Sequence, residues 1–365
     1  MAEPRDDDRG MADTARAGHA APGRVLVIQL RRLGDVLLTT ALLEDLSRAY
    51  PAAELDFLLE PAAASLLAGH ALISERIVYE GTAVGMWRAV RRRHYDWVID
   101  VQSNPRTAML TRASGAPVRA GFRSAGWSWV YTHPVPRARE PTYVLRDRRR
   151  LLQRIGVAVS GASPRLFLTE EERVRGESLV AAAGAPPGAP RVGLVLSTAD
   201  PSRSWKVEGF TAVARALASR GVAAIIFRMP GDDALIAELL GGAPDARVVD
   251  VPDLRDFLSA LATCDAFLSA NTGPAHMATA LGVPRVTVYT WGRSSNPMSW
   301  MPEVANAVAV RIHRSETAAG GRGSRREGKP TPADKSPRAM TATVDEVVNH
   351  LLRLLRGEPV ARGVV

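Results

Sequence analysis

The chain has 365 residues, enough for two domains of ordinary size, each with its own core. Hydrophobic residues make up 46% of it, yet no apolar run approaches the ~20 residues a membrane-spanning helix needs. The formal net charge is +9, mostly arginine. No zinc-finger, RNP or basic-zipper pattern accompanies it, so nucleic acid has charge alone behind it and is not an expected partner. The charge otherwise fits a polyanionic substrate, an anionic membrane surface, or plain solvated faces such as Arg91-Arg92-Arg93 and Arg148-Arg149-Arg150.

Residues 1–23 carry charges of both signs and no apolar h-region, and read as a disordered extension rather than a signal peptide. "RVLVIQL" (24–30) is a nearly continuous apolar run, as expected of a strand buried on both faces. "RRLG" follows, where Gly34 is expected to turn the chain sharply. A helix comes next, in which Val36, Leu37, Ala41, Leu42, Leu46 and Ala49 recur with helical spacing until Pro51. "AELDFLLE" and "WVIDVQ" are further strands, and Arg106 and Arg112 follow the second.

The Pro/Gly/Ala-rich stretch at 181–190 reads as a linker between a first domain (24–180) and a second (191–342). Beyond it the β/α alternation restarts with "VGLVLS" and runs through "AAIIFRM", "ARVVDV", "AFLSA" and "RVTVY", with helices between. Two such series predict two doubly wound α/β domains with parallel sheets, whose ligands lie at the carboxyl ends of strands, by default in a cleft between the domains. Residues 314–340 contain almost nothing apolar and read as a flexible loop. A C-terminal helix is predicted over 343–356 with Thr343 as its N-cap, and 357–365 as a tail. The single cysteine, Cys264, lies in an apolar helix-to-strand stretch and reads as a buried small hydrophobe, with nucleophile as the alternative. Its isolation fits a reducing cytoplasm.

Three strand-to-helix junctions carry candidate chemistry. In "LRRLGDVLLTT", Asp35 is either an N-cap or a carboxylate that takes a proton from a substrate hydroxyl. Only Gly34 is present there, so a G-x-G-x-x-G dinucleotide site is not supported. In "LSTADPSRSWKVEGF", Thr198 offers a hydroxyl and Arg203 a guanidinium able to take two phosphate oxygens; the alternative is a solvated loop with Trp205 packed on the next helix. In "SANTGPAHMATALG", Thr272, Gly273 and Pro274 open a helix whose N–H groups and dipole favour an anion, with His276 in its first turn. The alternative there is a helix start without a ligand.

Together these junctions resemble glycosyltransferase family 9, whose best-known members are the ADP-heptose:lipopolysaccharide heptosyltransferases. "RLGDV", "VIDVQSNPRTAMLTRASGAPVRAGF", "RSWKVEGF" and "SANTGPAHMATALGVP" match that family's motifs in order, and the likeness runs from about residue 24 to 356. The resemblance implies a GT-B fold of two Rossmann-like domains, with acceptor on the first and nucleotide-sugar on the second. It implies inverting, metal-independent transfer without a cofactor, from ADP-heptose to an anionic glycolipid acceptor at the inner face of the membrane, hence a cytoplasmic, peripheral protein. Asp35 then matches the general base, and Arg203 the lysine that holds the donor diphosphate. Thr198, Asn271, Thr272, Gly273, Pro274 and His276 fall on donor-binding positions, and Arg31, Arg32 and Arg106 on the acceptor side. Four departures mark a divergent member. Arg203 replaces lysine, Asn271 replaces aspartate, "YTWGRSSNPMSW" replaces an aromatic-Gly-Pro-Thr loop, and 314–340 lacks the usual cysteines. Asn271 and the altered 291–300 loop leave a non-catalytic GT-B protein, binding a nucleotide-sugar or glycolipid, as the alternative.

Overall fold

The computed structural model describes residues 20–198, 200, 203–290, 296–302, 304–312, 316–317 and 337–358. The extension over 1–19, residues 291–295 of the 291–300 loop, residues 313–315 and 318–336, and the tail from 359 lie outside them. The chain divides into two compact units, residues 1–167 and 168–365.

The first unit runs β1 (Arg24–Ile28), α1 (Leu33–Ala49), β2 (Glu54–Leu59), β3 (Glu75–Val78), α2 (Ala83–Arg91), β4 (Trp97–Asp100), α3 (Pro105–Ser114), β5 (Val118–Phe122), β6 (His133–Val135) and α4 (Val144–Arg154). Its sheet order is β3-β2-β1-β4-β5-β6, every pairing parallel. Val25 to Ile28 and all of β4 are buried, as the unbroken apolar runs require of strands covered on both faces. Helix α3 starts on an Asn104 capping box with Pro105 at its first position and ends on Gly115 at φ 70, a left-handed conformation that favours glycine.

The second unit runs α5 (Glu170–Ala182), β7 (Arg191–Val195), α6 (Val207–Ala218), β8 (Ala223–Arg228), α7 (Asp233–Gly242), β9 (Arg247–Asp250), α8 (Leu254–Leu261), β10 (Ala266–Ala270), α9 (Gly273–Ala280), β11 (Arg285–Tyr289), α10 (Pro297–Trp300), β12 (Ala307–Arg311) and α11 (Pro337–Leu355). Its sheet order is β12-β11-β10-β7-β8-β9, again parallel. Counted within each unit, both sheets follow the order 3-2-1-4-5-6, so each has one point where the order reverses: β1/β4 in the first and β7/β10 in the second.

Four expectations are corrected. The unit boundary falls at residues 167/168, not in the 181–190 stretch. Helix α5 belongs to the second unit because it packs on α8: a Cβ on Gly176 would stand 2.2 Å from the Ser259 carbonyl oxygen, and Arg255 and Arg175 pair with Glu172 and Asp256. Gly34 lies in the first turn of α1 rather than in a sharp turn. The last helix starts at Pro337, so Thr343 lies inside it and its hydroxyl donates to Glu316 at 3.4 Å instead of capping. Arg148 and Arg149 do not form a solvated face; they are 6% and 8% exposed.

Arg149 donates from Nε to Asp45, at 2.7 Å, and Asp45 also accepts from Ser160 N and Oγ. This pair joins α1 to α4. Removing one partner of a buried pair strands the other, which typically costs ~3–5 kcal/mol. Arg149→Ala is therefore expected to lower the unfolding free energy by about that amount in urea titration; a loss under ~1 kcal/mol, the range of exposed pairs, would contradict this packing role.

Candidate functional site

In a doubly wound sheet the helices on either side of the reversal point leave in opposite directions and open a crevice at the strand ends. The sequence-predicted residues gather at these points. In the first unit Arg31, Arg32 and Asp35 follow β1 and Arg106 follows β4, and these strands are neighbours, with Ile28 opposite Asp100. In the second unit Thr198 and Arg203 follow β7, and Asn271 to His276 follow β10, again neighbouring strands, with Val195 opposite Ser269.

The β1–α1 junction is built around a buried cation that sequence reading left on the surface. Arg148, on α4, donates through Nη1 to the Asp35 carbonyl oxygen at 2.7 Å and to Thr39 Oγ1 at 2.9 Å. Its Nη2 meets Asp35 Oδ1. The N-cap of α1 is Arg32, with no side-chain capping bond, so Asp35 is not the cap. Its carboxylate stands in the first helical turn, 24% exposed, and Oδ2 has no hydrogen-bond partner among the described residues. Arg31 and Arg32 are exposed beside it. Arg106 is already engaged: it pairs with Glu60 and its guanidinium lies 4.8 Å from the Tyr79 ring centroid.

Gln102, just beyond β4, holds this junction, while Asp100 at the end of β4 orders the loop that follows its own strand. Gln102 Oε1 accepts from Leu30 N at 2.9 Å and from Arg31 N and Gln29 Nε2 at 3.3 Å each. Asp100 accepts from Ser103 N and the Tyr131 hydroxyl, both at 2.8 Å, and Ser103 Oγ accepts from Phe122 N, also at 2.8 Å. Within the "VIDVQSN" motif Gln102 thus braces the loop that precedes Asp35, and Asp100 and Ser103 fix the β4 end against β5 and Tyr131. Complete burial raises the Asp100 carboxyl to about 6, outweighing the bonds it receives from Ser103 and Tyr131.

In the second unit, Thr198 Oγ1 donates to the Asp200 carbonyl oxygen and lies 3.1 Å from Ser204 Oγ, so its hydroxyl shapes the loop. Arg203 stands 3.3 Å from Asp200 Oδ2 through Nε. Trp205 is 1% exposed and meets Phe210 edge-on at 5.2 Å, the structural role expected of it. The start of α9 has no side-chain cap, because the Thr272 hydroxyl donates backwards to the Ala270 carbonyl oxygen at 3.3 Å. Pro274 occupies the first turn, where a missing N–H costs nothing. Asn271 is 7% exposed and its carboxamide has no hydrogen-bond partner among the described residues. His276 is 5% exposed, with its ring 6.0 Å from that of Trp300. Cys264 is buried and its thiol is pushed up to about 12 by burial, which removes it as a nucleophile.

One acidic residue escaped the sequence reading. Asp232, the N-cap position of α7 just beyond β8, is 2% exposed, and its Oδ2 has no hydrogen-bond partner among the described residues. Burial raises its carboxyl, with hydrogen bonds from Ser197 and the Met229 backbone acting the other way. The available signal was its position at a third strand end of the same sheet.

Two Rossmann-like units, each presenting its polar loops at the reversal point, define the α/β GT-B fold class of glycosyltransferases. The family model described as "Glycosyltransferase family 9 (heptosyltransferase)" matches residues 84–329, and the chain belongs to that family. It is therefore a glycosyltransferase. Lipopolysaccharide heptosyltransferase 1 of Pseudomonas aeruginosa is 27% identical over 289 residues, 73% of this chain and 78% of that protein. The glycosyltransferase family 9 protein of Veillonella parvula superposes with a TM-score of 0.77 at 23% identity, covering 92% of this chain and 98% of the other. The ADP-heptose lipopolysaccharide heptosyltransferase II of E. coli does so with a TM-score of 0.71 at 18% identity, covering 92% and 99%.

The raised Asp100 carboxyl has a measurable consequence. The folded chain holds this proton more tightly than the unfolded one, so stability from Asp100 is full below about 3.8 and is lost as pH rises through about 6. Asp100→Asn removes that dependence: in urea titrations the stability difference between variant and wild type is expected to move in the variant's favour across this window. Parallel profiles would contradict the assignment.

Proposed function

We propose that the protein transfers a heptose, or a related sugar, from an ADP-sugar to a lipopolysaccharide-core or similar anionic glycolipid, with inversion and without a metal ion. The observation that carries this reading is Asp35, whose Oδ1 is held by buried Arg148 while Oδ2 has no partner among the described residues. A carboxylate oriented through one oxygen presents the other to a hydroxyl proton. In the proposed step Oδ2 takes the proton of an acceptor hydroxyl. The acceptor oxygen bonds to the anomeric carbon as the bond to the diphosphate breaks on the opposite face.

The leaving diphosphate gathers negative charge, which Arg203 and the uncapped N-terminus of α9 are suited to meet in place of a divalent cation. Arg203 would exchange its exposed, solvent-screened partner Asp200 for phosphate oxygens. Asn271, an amide with unused hydrogen-bonding capacity, is suited to hydroxyl contacts but is no base, which leaves proton removal to Asp35. Asp232 Oδ2, also without a hydrogen-bond partner among the described residues, is suited to accept from a donor hydroxyl. The relatives, a lipopolysaccharide heptosyltransferase and an ADP-heptose lipopolysaccharide heptosyltransferase by name, support donor and acceptor of these classes. Among the described residues no helix is long and apolar enough to cross a membrane, and peripheral action at the inner membrane face is part of the proposal.

Asp35→Asn is expected to lower kcat by about 10²- to 10⁴-fold, the usual weight of a general base, while ADP affinity in calorimetry stays within about twofold. Normal turnover by that variant would overturn the base assignment, and ADP binding without any donor consumption by wild type would favour a non-catalytic protein. Arg203→Ala is expected to weaken ADP binding by about 10- to 100-fold, the range for a charge-assisted contact, with partial recovery in Arg203→Lys. Unchanged ADP affinity would remove Arg203 from the donor site.

A further inference from the structure

The connection from β12 to α11 is pinned at one internal point. Within it, Glu316 and Thr317 are 1% and 4% exposed, against the flexible loop expected over 314–340. Both pack on the β7–α6 loop, which carries Thr198 and Arg203. Lys206 N donates to the Glu316 carbonyl oxygen at 2.8 Å, and Trp205 pairs with Thr317 as an isolated antiparallel bridge. The Glu316 carboxylate makes a second link: Oε2 accepts from Thr343 Oγ1, inside α11, at 3.4 Å.

Both sides of this strap are anchored. Helix α11 puts Val344, Val347, Val348 and Leu351 into the core of the second unit, where Trp205 and Phe210 also lie. Trp205 has no room to shift toward α6, because a Cβ on Gly209 would stand 2.4 Å from its Cε2. The order continues into the loop. Ser204 is 5% exposed, Thr198 N donates to its Oγ at 3.2 Å, and Arg203 N donates to the Asp200 carbonyl oxygen at 2.9 Å. Burying a carboxylate is costly unless hydrogen bonds meet it, so Glu316 makes a poor spacer and an effective link. A guanidinium meets phosphate oxygens in a fixed geometry only if its backbone is fixed, and a misplacement of ~1 Å in a reacting site can cost ~10²-fold.

We propose that Glu316 is a positioning residue for the donor site: it ties the β7–α6 loop to α11 and so sets the place of Arg203 against the diphosphate of the nucleotide-sugar. Glu316 itself touches no substrate in this role. The consequence for ADP rests on the donor-site reading of Arg203, whereas the coupling between Glu316 and the loop does not.

The test uses the full chain and calorimetric titration with ADP. Glu316→Ala is expected to weaken ADP binding about fivefold or more, the equivalent of one hydrogen bond. Glu316→Gln, whose carboxamide oxygen still accepts from Thr343, is expected to recover most of that loss. In an Arg203→Ala background the Glu316→Ala change is expected to cost less than about twofold, because its effect passes through Arg203. A purely structural residue would lower stability in urea without this non-additivity. ADP affinity unchanged by Glu316→Ala, or an equal loss in both backgrounds, would overturn the proposal. Thr343→Val removes the same bond with little change of shape and carries the test if Glu316→Ala does not fold. Weaker ADP binding by it supports the proposal, and unchanged binding overturns it.

Amide hydrogen exchange separates the coupling from the reading it serves. In Glu316→Ala the Lys206 and Thr198 amides are expected to exchange about fivefold faster or more, with the β8 amides unchanged. Unchanged exchange at Lys206 and Thr198 would overturn the coupling. In transfer assays the donor KM is expected to rise while the acceptor KM does not, and a rise confined to the acceptor KM would count against the proposal. If Arg203→Ala binds ADP as wild type does, the donor-site reading fails, while exchange at Lys206 and Thr198 still decides whether Glu316 holds the loop.

Discussion

A guanidinium buried in a protein interior is costly unless carboxylate and hydrogen bonds meet it. Arg148 is met by Asp35, by the Asp35 carbonyl oxygen and by Thr39, all on the first two turns of α1. The same contacts that satisfy the cation fix the one carboxylate that the proposed chemistry uses. Arg149 repeats the arrangement one position along, pairing with Asp45 farther down α1. Helix α4 therefore reaches α1 through two adjacent arginines, and the orientation of Asp35 follows from the packing of the unit rather than from its own loop.

Both units use one topological constraint in different ways. Where the strand order reverses, neighbouring loops diverge, and each unit furnishes that opening with opposite chemistry. The first presents a held carboxylate, whose preceding loop is braced by Gln102 from beyond β4. The second presents an arginine after β7 and, after the neighbouring β10, a helix start that no side chain caps. A carboxylate suits proton removal and a cationic, dipole-rich pocket suits a departing diphosphate, so the division of labour in the proposed transfer follows the division of charge.

Much of the fold was legible because it depends on local pattern. Unbroken apolar runs marked buried parallel strands, and the Thr272–Pro274 stretch marked a helix start. What was not legible depends on partners distant in sequence. Asp35 and Arg148 are separated by 113 positions, and "RRR" at 148–150 has the composition of a solvated face until the fold brings two carboxylates to it. The unit boundary was missed for a similar reason: the Pro/Gly/Ala stretch looks like a linker, but the helix before it is held to α8 by the close approach at Gly176. Asp232 needed burial to be noticed, and Thr343 is a reasonable cap that the helix overruns. The family motifs located the junctions; they did not supply the internal contacts that hold them.

The central claim is that one held carboxylate activates the acceptor for direct displacement at the anomeric carbon. Its most direct measurement is proton NMR of the product formed from an ADP-sugar of known anomeric configuration and a deacylated lipopolysaccharide-core acceptor, read as ADP is released. The account predicts a single product anomer of inverted configuration, formed one for one with ADP. Product with the donor's configuration retained would contradict it.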